Sequence, residues 1–164
     1  MPVKHAPQKP RSIGQVSVIG WMEYVTLPEL HIDPIKAKID TGARTTALHA
    51  TDIEAFEKGG KPWVRFRVVD EHNAPGPLRE APVHEERAIK NTSGVPEDRY
   101  VIRTKARFGA KTWVIDLSLA DRTNMTFPMI VGRTALKNHA IAVHTKRAFL
   151  LSARTDQRRR KDTK

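Results

Sequence analysis

Along most of this chain apolar and polar residues alternate in short runs, and glycine, proline and polar clusters break the runs. Alternation with a period of two is the signature of half-buried strands. "QVSVIGWMEYVTL" (15–27) reads as strand interrupted at Gly20, and "IKAKID" (35–40) as a second strand. "KPWVRFRVVD" (61–70) alternates clearly. So do "DRYVIRTKARF" (98–108) and "AKTWVIDLSLA" (110–120), with Gly109 between them as a turn. "FPMIVG" (127–132) is a short continuous apolar run, and "AIAVHT" and "RAFLLS" are expected to pair around "HTKR". Only "GRTALKNH" has the look of a helical turn or two. "EHNAPGPLREAP" (71–82) is polar and proline-rich and reads as an inserted loop. Many short strands with turn residues between them predict an all-β fold, a small closed barrel with one short C-terminal helix.

A chain of 164 residues suits one domain with ragged ends. The formal net charge is +11, and the ends hold most of it. Residues 1–12 carry Lys4, Lys9 and Arg11 with no acid, and residues 154–164 carry six cations against Asp156 and Asp162, which leaves +4 for the body. The expected organisation is a flexible basic lead over 1–14, a barrel domain over 15–153 and a disordered basic tail over 154–164. The "RRRK" of the tail suits contact with a polyanion such as nucleic acid or the ribosome, and equally suits simple solvation. No run is long and apolar enough for a bilayer span or a secretory signal core, so the expectation is a soluble, cytoplasmic protein without membrane partners. The absence of cysteine excludes disulfides, thiolate catalysis and cysteine-based zinc sites in these residues.

Against this background one stretch carries chemistry: "KAKIDTGARTTALHA" (36–50). By itself Asp-x-Gly is ordinary turn chemistry. Here it directly follows a strand, which is what an aspartic peptidase needs. The aspartate must sit at a strand end on a tight loop, a threonine hydroxyl must tie the loop down, and a glycine must let backbone approach the carboxylate. Two such carboxylates share one proton, because like charges at close range do not both ionise. One then activates water while the other donates to the scissile carbonyl. Far downstream, "MIVGRTAL" (129–136) combines an apolar-apolar-glycine strand end with the start of a helix.

These two elements, with "WMEYVTLPELHIDPIKAKIDTGARTTALHA", "RYVIRT", "RTNMTFPMIVGRTAL" and "RAFLLS", resemble the retropepsin-like proteins that carry the label "ATP-dependent zinc protease". The resemblance spans about residues 18–152. It implies a barrel of the viral-protease type with one catalytic aspartate per chain, hence a homodimer. It also implies a setting beside an ATP-grasp ligase that adds glutamates to a ribosomal protein tail, and a peptidase that trims such tails. By position, Asp40 is the dyad acid, Thr41 the inter-subunit hydroxyl beneath it, and Gly42 a backbone contact for substrate. Ala43 and Arg44 follow on the substrate side. Gly132 lets the brace strand pass close, and Arg133 follows it where viral enzymes keep an arginine that anchors the dimer. The acidic partner of that arginine normally lies just after the DTGA run, where this chain has Arg44. Arg44 suits bidentate binding of an acidic substrate side chain, or bracing of the loop.

The zinc and ATP of that label have no counterpart in the motifs. There is no HExxH, "HEER" (84–87) has a single histidine, and no GxxxxGK[ST] occurs. His49 is the histidine nearest the expected site and reads as structural. No metal and no nucleotide cofactor is expected. "RAIKNTSGVPEDRYVIRT" (87–104) suits a flap with its tip near Ser93 and Gly94, or an ordinary hairpin. Trp21, Trp63 and Trp113 read as core or interface residues, since an aromatic content of 6% is thin for a single-strand nucleic-acid platform. Three readings stand at this point: a homodimeric aspartic peptidase acting on glutamate-rich peptide, a non-catalytic adaptor of the same fold that binds an acidic tail or regulates a glutamate ligase, and a nucleic-acid factor working through its tails.

Overall fold

A computed structural model of the chain describes residues 15–90, 94, 96–121 and 126–152. The expected basic lead and tail, and Ser93, lie outside the described residues. Eleven strands and one helix follow in order: β1 (Ser17–Gly20), β2 (Met22–Leu27), β3 (Ile32–Ile39), β4 (Thr46–Lys58), β5 (Lys61–Val69), β6 (Pro75–Pro82), β7 (Glu85–Lys90), β8 (Pro96–Phe108), β9 (Lys111–Ala120), β10 (Met129–Val131), α1 (Arg133–Leu136) and β11 (Ile141–His144).

Six of these strands close a barrel. Going round it, β10 pairs with β3, β3 with β2, β2 with β8, β8 with β9, β9 with β4, and β4 with β10 again. Alternate residues point inward, so Val25, Leu27, Leu48, Ile102, Phe108, Leu117, Leu119, Met129 and Val131 are all buried in one core. Short β10 lies between β3, to which it is parallel, and the start of β4, to which it is antiparallel. It thereby separates the strand that precedes the Asp-Thr-Gly loop from the strand that follows it. Trp113 packs flat between Phe108 and His139, with ring centroids 4.4 and 4.5 Å away, and its indole N–H donates to the Ala135 carbonyl at 2.8 Å. That contact ties α1 to the barrel directly behind the loop.

Two 13-residue strands run beyond the barrel. The far half of β4 pairs with β5, and β5 with β6, to form a three-stranded arm. The near half of β8 pairs with β7 to form the hairpin expected as the flap. Gly94 near its tip has φ +76, the left-handed backbone that glycine adopts freely.

Two expectations are corrected. The stretch 71–82 is not wholly a loop, because Pro75–Pro82 forms strand β6. Its prolines are tolerated because β6 is an edge strand that bulges where Arg67 faces Leu78 and Val69 faces Pro75. The turn before it is closed by Asp70, whose Oδ1 accepts from the N–H groups of His72 and Ala74 at 2.9 Å each. "RAFLLS" does not pair with "AIAVHT". Strand β11 pairs in parallel with β1 instead, and residues 147–152 form an irregular strap across the barrel. The strap departs from a strand because its last three N–H groups go to a side chain. Glu23, fully buried, accepts at Oε1 from Gly20 (2.9 Å), Leu150 (2.8 Å) and Leu151 (3.0 Å), and at Oε2 from the Ser152 N–H (3.0 Å) and hydroxyl.

Candidate active site

Asp40 leaves the end of β3 with its N–H donated to the Val131 carbonyl at 2.9 Å, so the last ladder bond of β10 fixes where the aspartate begins. The loop then turns sharply. The Ala43 N–H donates to the Asp40 carbonyl at 3.2 Å, and the Gly42 N–H donates to Asp40 Oδ1 at 3.0 Å. One carboxylate oxygen is thus oriented by the chain itself, and the half-buried carboxyl group keeps its other oxygen for chemistry. Thr41, Gly42 and Arg44 are exposed. The Thr41 hydroxyl makes no hydrogen bond to another described residue, so it is available to a partner.

Gly132 and Arg133 lie against the Asp-Thr-Gly loop of their own chain. A Cβ built at Gly132 would meet the Thr45 carbonyl oxygen at 2.5 Å and its carbonyl carbon at 2.6 Å, so no other residue fits without moving backbone. The Gly132 N–H donates to Thr46 Oγ1 at 3.1 Å. The N–H groups of Arg133 and Thr134 donate to the carbonyls of Ala43 (2.9 Å) and Arg44 (3.1 Å). The Thr134 hydroxyl adds a second bond to the Arg44 carbonyl at 2.9 Å. The Arg133 guanidinium donates to the carbonyls of Thr41 (3.0 Å) and Gly42 (3.1 Å), so this arginine grips the Asp-Thr-Gly loop of its own chain. Both backbone groups of Gly42, expected to face substrate, are therefore already engaged internally, with a lone pair of its carbonyl left over.

Beside the loop, a hollow of about 340 Å³ is lined by Arg44, Thr45, Thr46 and Thr134 on one side and by Glu85, Arg87, Val101, Asp116 and Ser118 on the other. The second group was not singled out in the sequence. Strand register explains it, since Glu85 faces Val101 and Val101 faces Ser118 across β7, β8 and β9. Arg87 forms a two-bond pair with Glu85 at 2.8 and 2.9 Å, and Arg103 a similar pair with Asp116 at 2.8 and 3.3 Å. The arginine hydrogen bonds hold both carboxyls below the usual carboxylate range and hold both guanidiniums firmly protonated.

A family model described as "Retropepsin-like aspartic endopeptidase RimB" matches residues 18–154. The chain belongs to this RimB-like family. Relatives of this RimB-like chain include two proteins named "Probable alpha-L-glutamate ligase". The one from Desulfotalea psychrophila is 41% identical over 128 residues, 76% of this chain and 27% of its own. The one from Parasynechococcus marenigrum is 40% identical over 121 residues, 73% of this chain and 26% of its own. The RimB-like chain thus spans about a quarter of the length of the curated relatives it matches. A crystal structure of a Legionella pneumophila protein described as of unknown function superposes with a TM-score of 0.69 at 26% identity, covering 83% of this chain and 98% of that one.

The donor set does not fit a zinc ion: among the described residues no three His, Asp or Glu side chains converge. His49 is buried, with its Nε2 3.9 Å from Asp121. Among the described residues no helix is long and apolar enough to cross a membrane.

Proposed function

We propose that this RimB-like chain is one half of an aspartic peptidase, active as a homodimer on a short glutamate-rich peptide such as a modified ribosomal protein tail. The observation that carries this reading is the single Asp-Thr-Gly loop, held rigidly on the end of β3 with its carboxyl group oriented and a free threonine hydroxyl beside it. The sequence contains no second copy, so a dyad requires the Asp40 of a second chain.

In the dimer the two carboxyl groups share one proton. The ionised member takes a proton from water as its oxygen bonds to the scissile carbonyl carbon, and the other gives its proton to the carbonyl oxygen. The resulting gem-diol then breaks its C–N bond: the first carboxyl group gives the proton it received to the leaving amine, and the second carboxylate takes back a hydroxyl proton, which restores the one shared proton. Family membership supports the reaction class. A glutamate-rich substrate is supported by Arg44 beside the loop, and by relatives that join a similar segment to a protein named as a glutamate ligase. An ATP-grasp ligase and the ribosome are the partners this reading names.

The test is Asp40→Asn in the full-length chain. It removes cleavage of an oligoglutamate peptide while leaving the mass in solution and the unfolding midpoint unchanged. Cleavage at the wild-type rate refutes the dyad, and a wild-type protein that cleaves as a strict monomer refutes the two-chain site.

A further inference from the structure

The hollow beside the catalytic loop has a charge pattern that does not close on itself. Two guanidiniums, Arg44 and Arg87, and two carboxylates, Glu85 and Asp116, line it, and Arg103, which is not in the lining, pairs with Asp116. Arg87 is committed to Glu85 and Arg103 to Asp116, each through two hydrogen bonds. Arg44 is left over: among the described residues no carboxylate lies within ion-pair distance of it. Its main chain is nonetheless fixed, because its carbonyl accepts from both the N–H and the hydroxyl of Thr134. A guanidinium on a pinned backbone, with no carboxylate partner among the described residues, is prepared for an anion from outside.

An independent observation comes from the floor of the hollow. Ser118 is 5% exposed, lines the hollow, and its hydroxyl has no hydrogen-bond partner among the described residues. Buried hydroxyls are nearly always satisfied, so an orphan that borders a hollow marks the place where a ligand group belongs. The volume of about 340 Å³ is enough for a side chain with some of its backbone. None of Asp40, Thr41 and Gly42 lines the hollow. The group it takes therefore lies near the scissile bond but not at it.

We infer that this hollow is the acidic-side-chain pocket of the substrate cleft, in which Arg44 binds the carboxylate of a substrate glutamate and the Ser118 hydroxyl donates to the same group. The inference rests on the peptide-binding reading above and adds the pair of residues that sets its specificity. A carboxylate matches the planar fork of Arg44 and accepts from Ser118 at once. A glutamine amide brings an N–H face toward the guanidinium, and an apolar side chain leaves both groups unpaired. The arginine pairing of Glu85 and Asp116 is part of the device, because it keeps the local acids from occupying Arg44.

The experiment uses the full-length Asp40→Asn protein, so that peptide is not consumed, with fluorescein-labelled hexaglutamate read by fluorescence anisotropy. Hexaglutamate binds about tenfold or more tightly than hexaglutamine. Arg44→Gln and Ser118→Val, each on the Asp40→Asn background, remove about the same factor. Ser118→Ala breaks no internal hydrogen bond and so keeps the fold, and it weakens binding in the same direction. Arg44→Glu moves the preference toward hexalysine, which loss of a merely structural arginine does not do. If the Arg44→Gln and Ser118→Ala proteins bind hexaglutamate like their parent, the pocket assignment is overturned, even where wild-type protein cleaves the peptide and the peptidase reading stands. If wild-type protein does not cleave, yet binding depends on Arg44 and Ser118, the pocket stands and the peptidase reading falls.

Discussion

Two irregular segments cross the ends of this barrel, and they are held in opposite ways. The Asp-Thr-Gly loop, Asp40–Thr45, is gripped mostly by main chain. The carbonyls of Val131, Ala43 and Arg44 and the N–H groups of Asp40, Arg133 and Thr134 make the contacts, and backbone passes backbone at Gly132. The strap, 147–152, has two main-chain bonds near its start, Trp21 N–H to the Arg147 carbonyl and Phe149 N–H to the Met22 carbonyl, but the N–H groups of Leu150, Leu151 and Ser152 and the Ser152 hydroxyl all go to one side chain, the buried carboxylate of Glu23. A main-chain grip spreads the load over many bonds, and most substitutions leave it untouched. A side-chain grip concentrates it, and a single substitution removes it. The site chemistry sits on the first kind of support.

The largest expected effect is therefore on the strap. Glu23→Ala leaves buried N–H donors without an acceptor and destabilises the fold by on the order of 3–5 kcal/mol, read from urea unfolding, with early proteolysis within 147–152. Glu23→Gln recovers part of the loss. A Glu23→Ala protein within about 1 kcal/mol of wild type would mean that the main-chain bonds at Arg147 and Phe149 suffice to hold the strap and that the contrast is wrong. Next comes Gly132→Ala, which puts a methyl group against the main-chain grip itself. Its methyl group has to displace the Thr45 backbone, so stability falls by roughly 1–3 kcal/mol. Oligoglutamate cleavage falls about a hundredfold as Asp40 shifts, and an alanine protein with full activity would show that the close approach is not needed. Arg133→Gln is milder. It removes two bonds to loop carbonyls that remain tied elsewhere, leaves stability within about 1 kcal/mol, and lowers cleavage by about tenfold.

The smallest effect concerns pH. Glu85 and Asp116 titrate lower in the folded chain than in the unfolded one, because Arg87 and Arg103 favour their charged forms. Their contribution to stability is complete above the ordinary carboxylate range and is lost as pH falls through the lowered folded values. Asp116→Asn flattens the acid side of a plot of unfolding midpoint against pH. The change is slight, since the Arg103–Asp116 pair is largely solvent-exposed. An unchanged acid limb would show that this pair does not contribute.

How much of this was legible beforehand follows from the same contrast. The catalytic loop announces itself because its requirements are local: a strand, then Asp-Thr-Gly, then a brace glycine before a helical turn. The closed barrel and its helix follow from alternation and punctuation. Strand β6 was hidden because prolines argue against a strand, and only an edge position makes them tolerable. The strap was mistaken for a strand because apolar content alone does not say where its N–H groups go, and nothing near Glu23 in the chain points to residues 147–152. The walls of the pocket were missed for a different reason, since they meet only through register. One signal was present. Gly109 and Ala110 make a two-residue turn with Gly109 at φ +62, so Phe108 faces Lys111. Counting back along both strands sets Arg103 opposite Asp116 and Val101 opposite Ser118. Arg44 was legible as an oddity, and its lack of a partner became visible only in three dimensions.

The position of β10 bears on when the site can come into being. Its three residues complete the barrel between strands made long before it, and they carry the carbonyl that receives the Asp40 N–H. Contacts between such distant parts of a chain are slow to form, because a long loop must be closed first. During synthesis the aspartate emerges early but has nothing to rest against until Met129–Leu136 has left the ribosome and docked. A chain that ends before Met129 therefore carries the Asp-Thr-Gly motif without the main-chain bond that fixes where Asp40 begins.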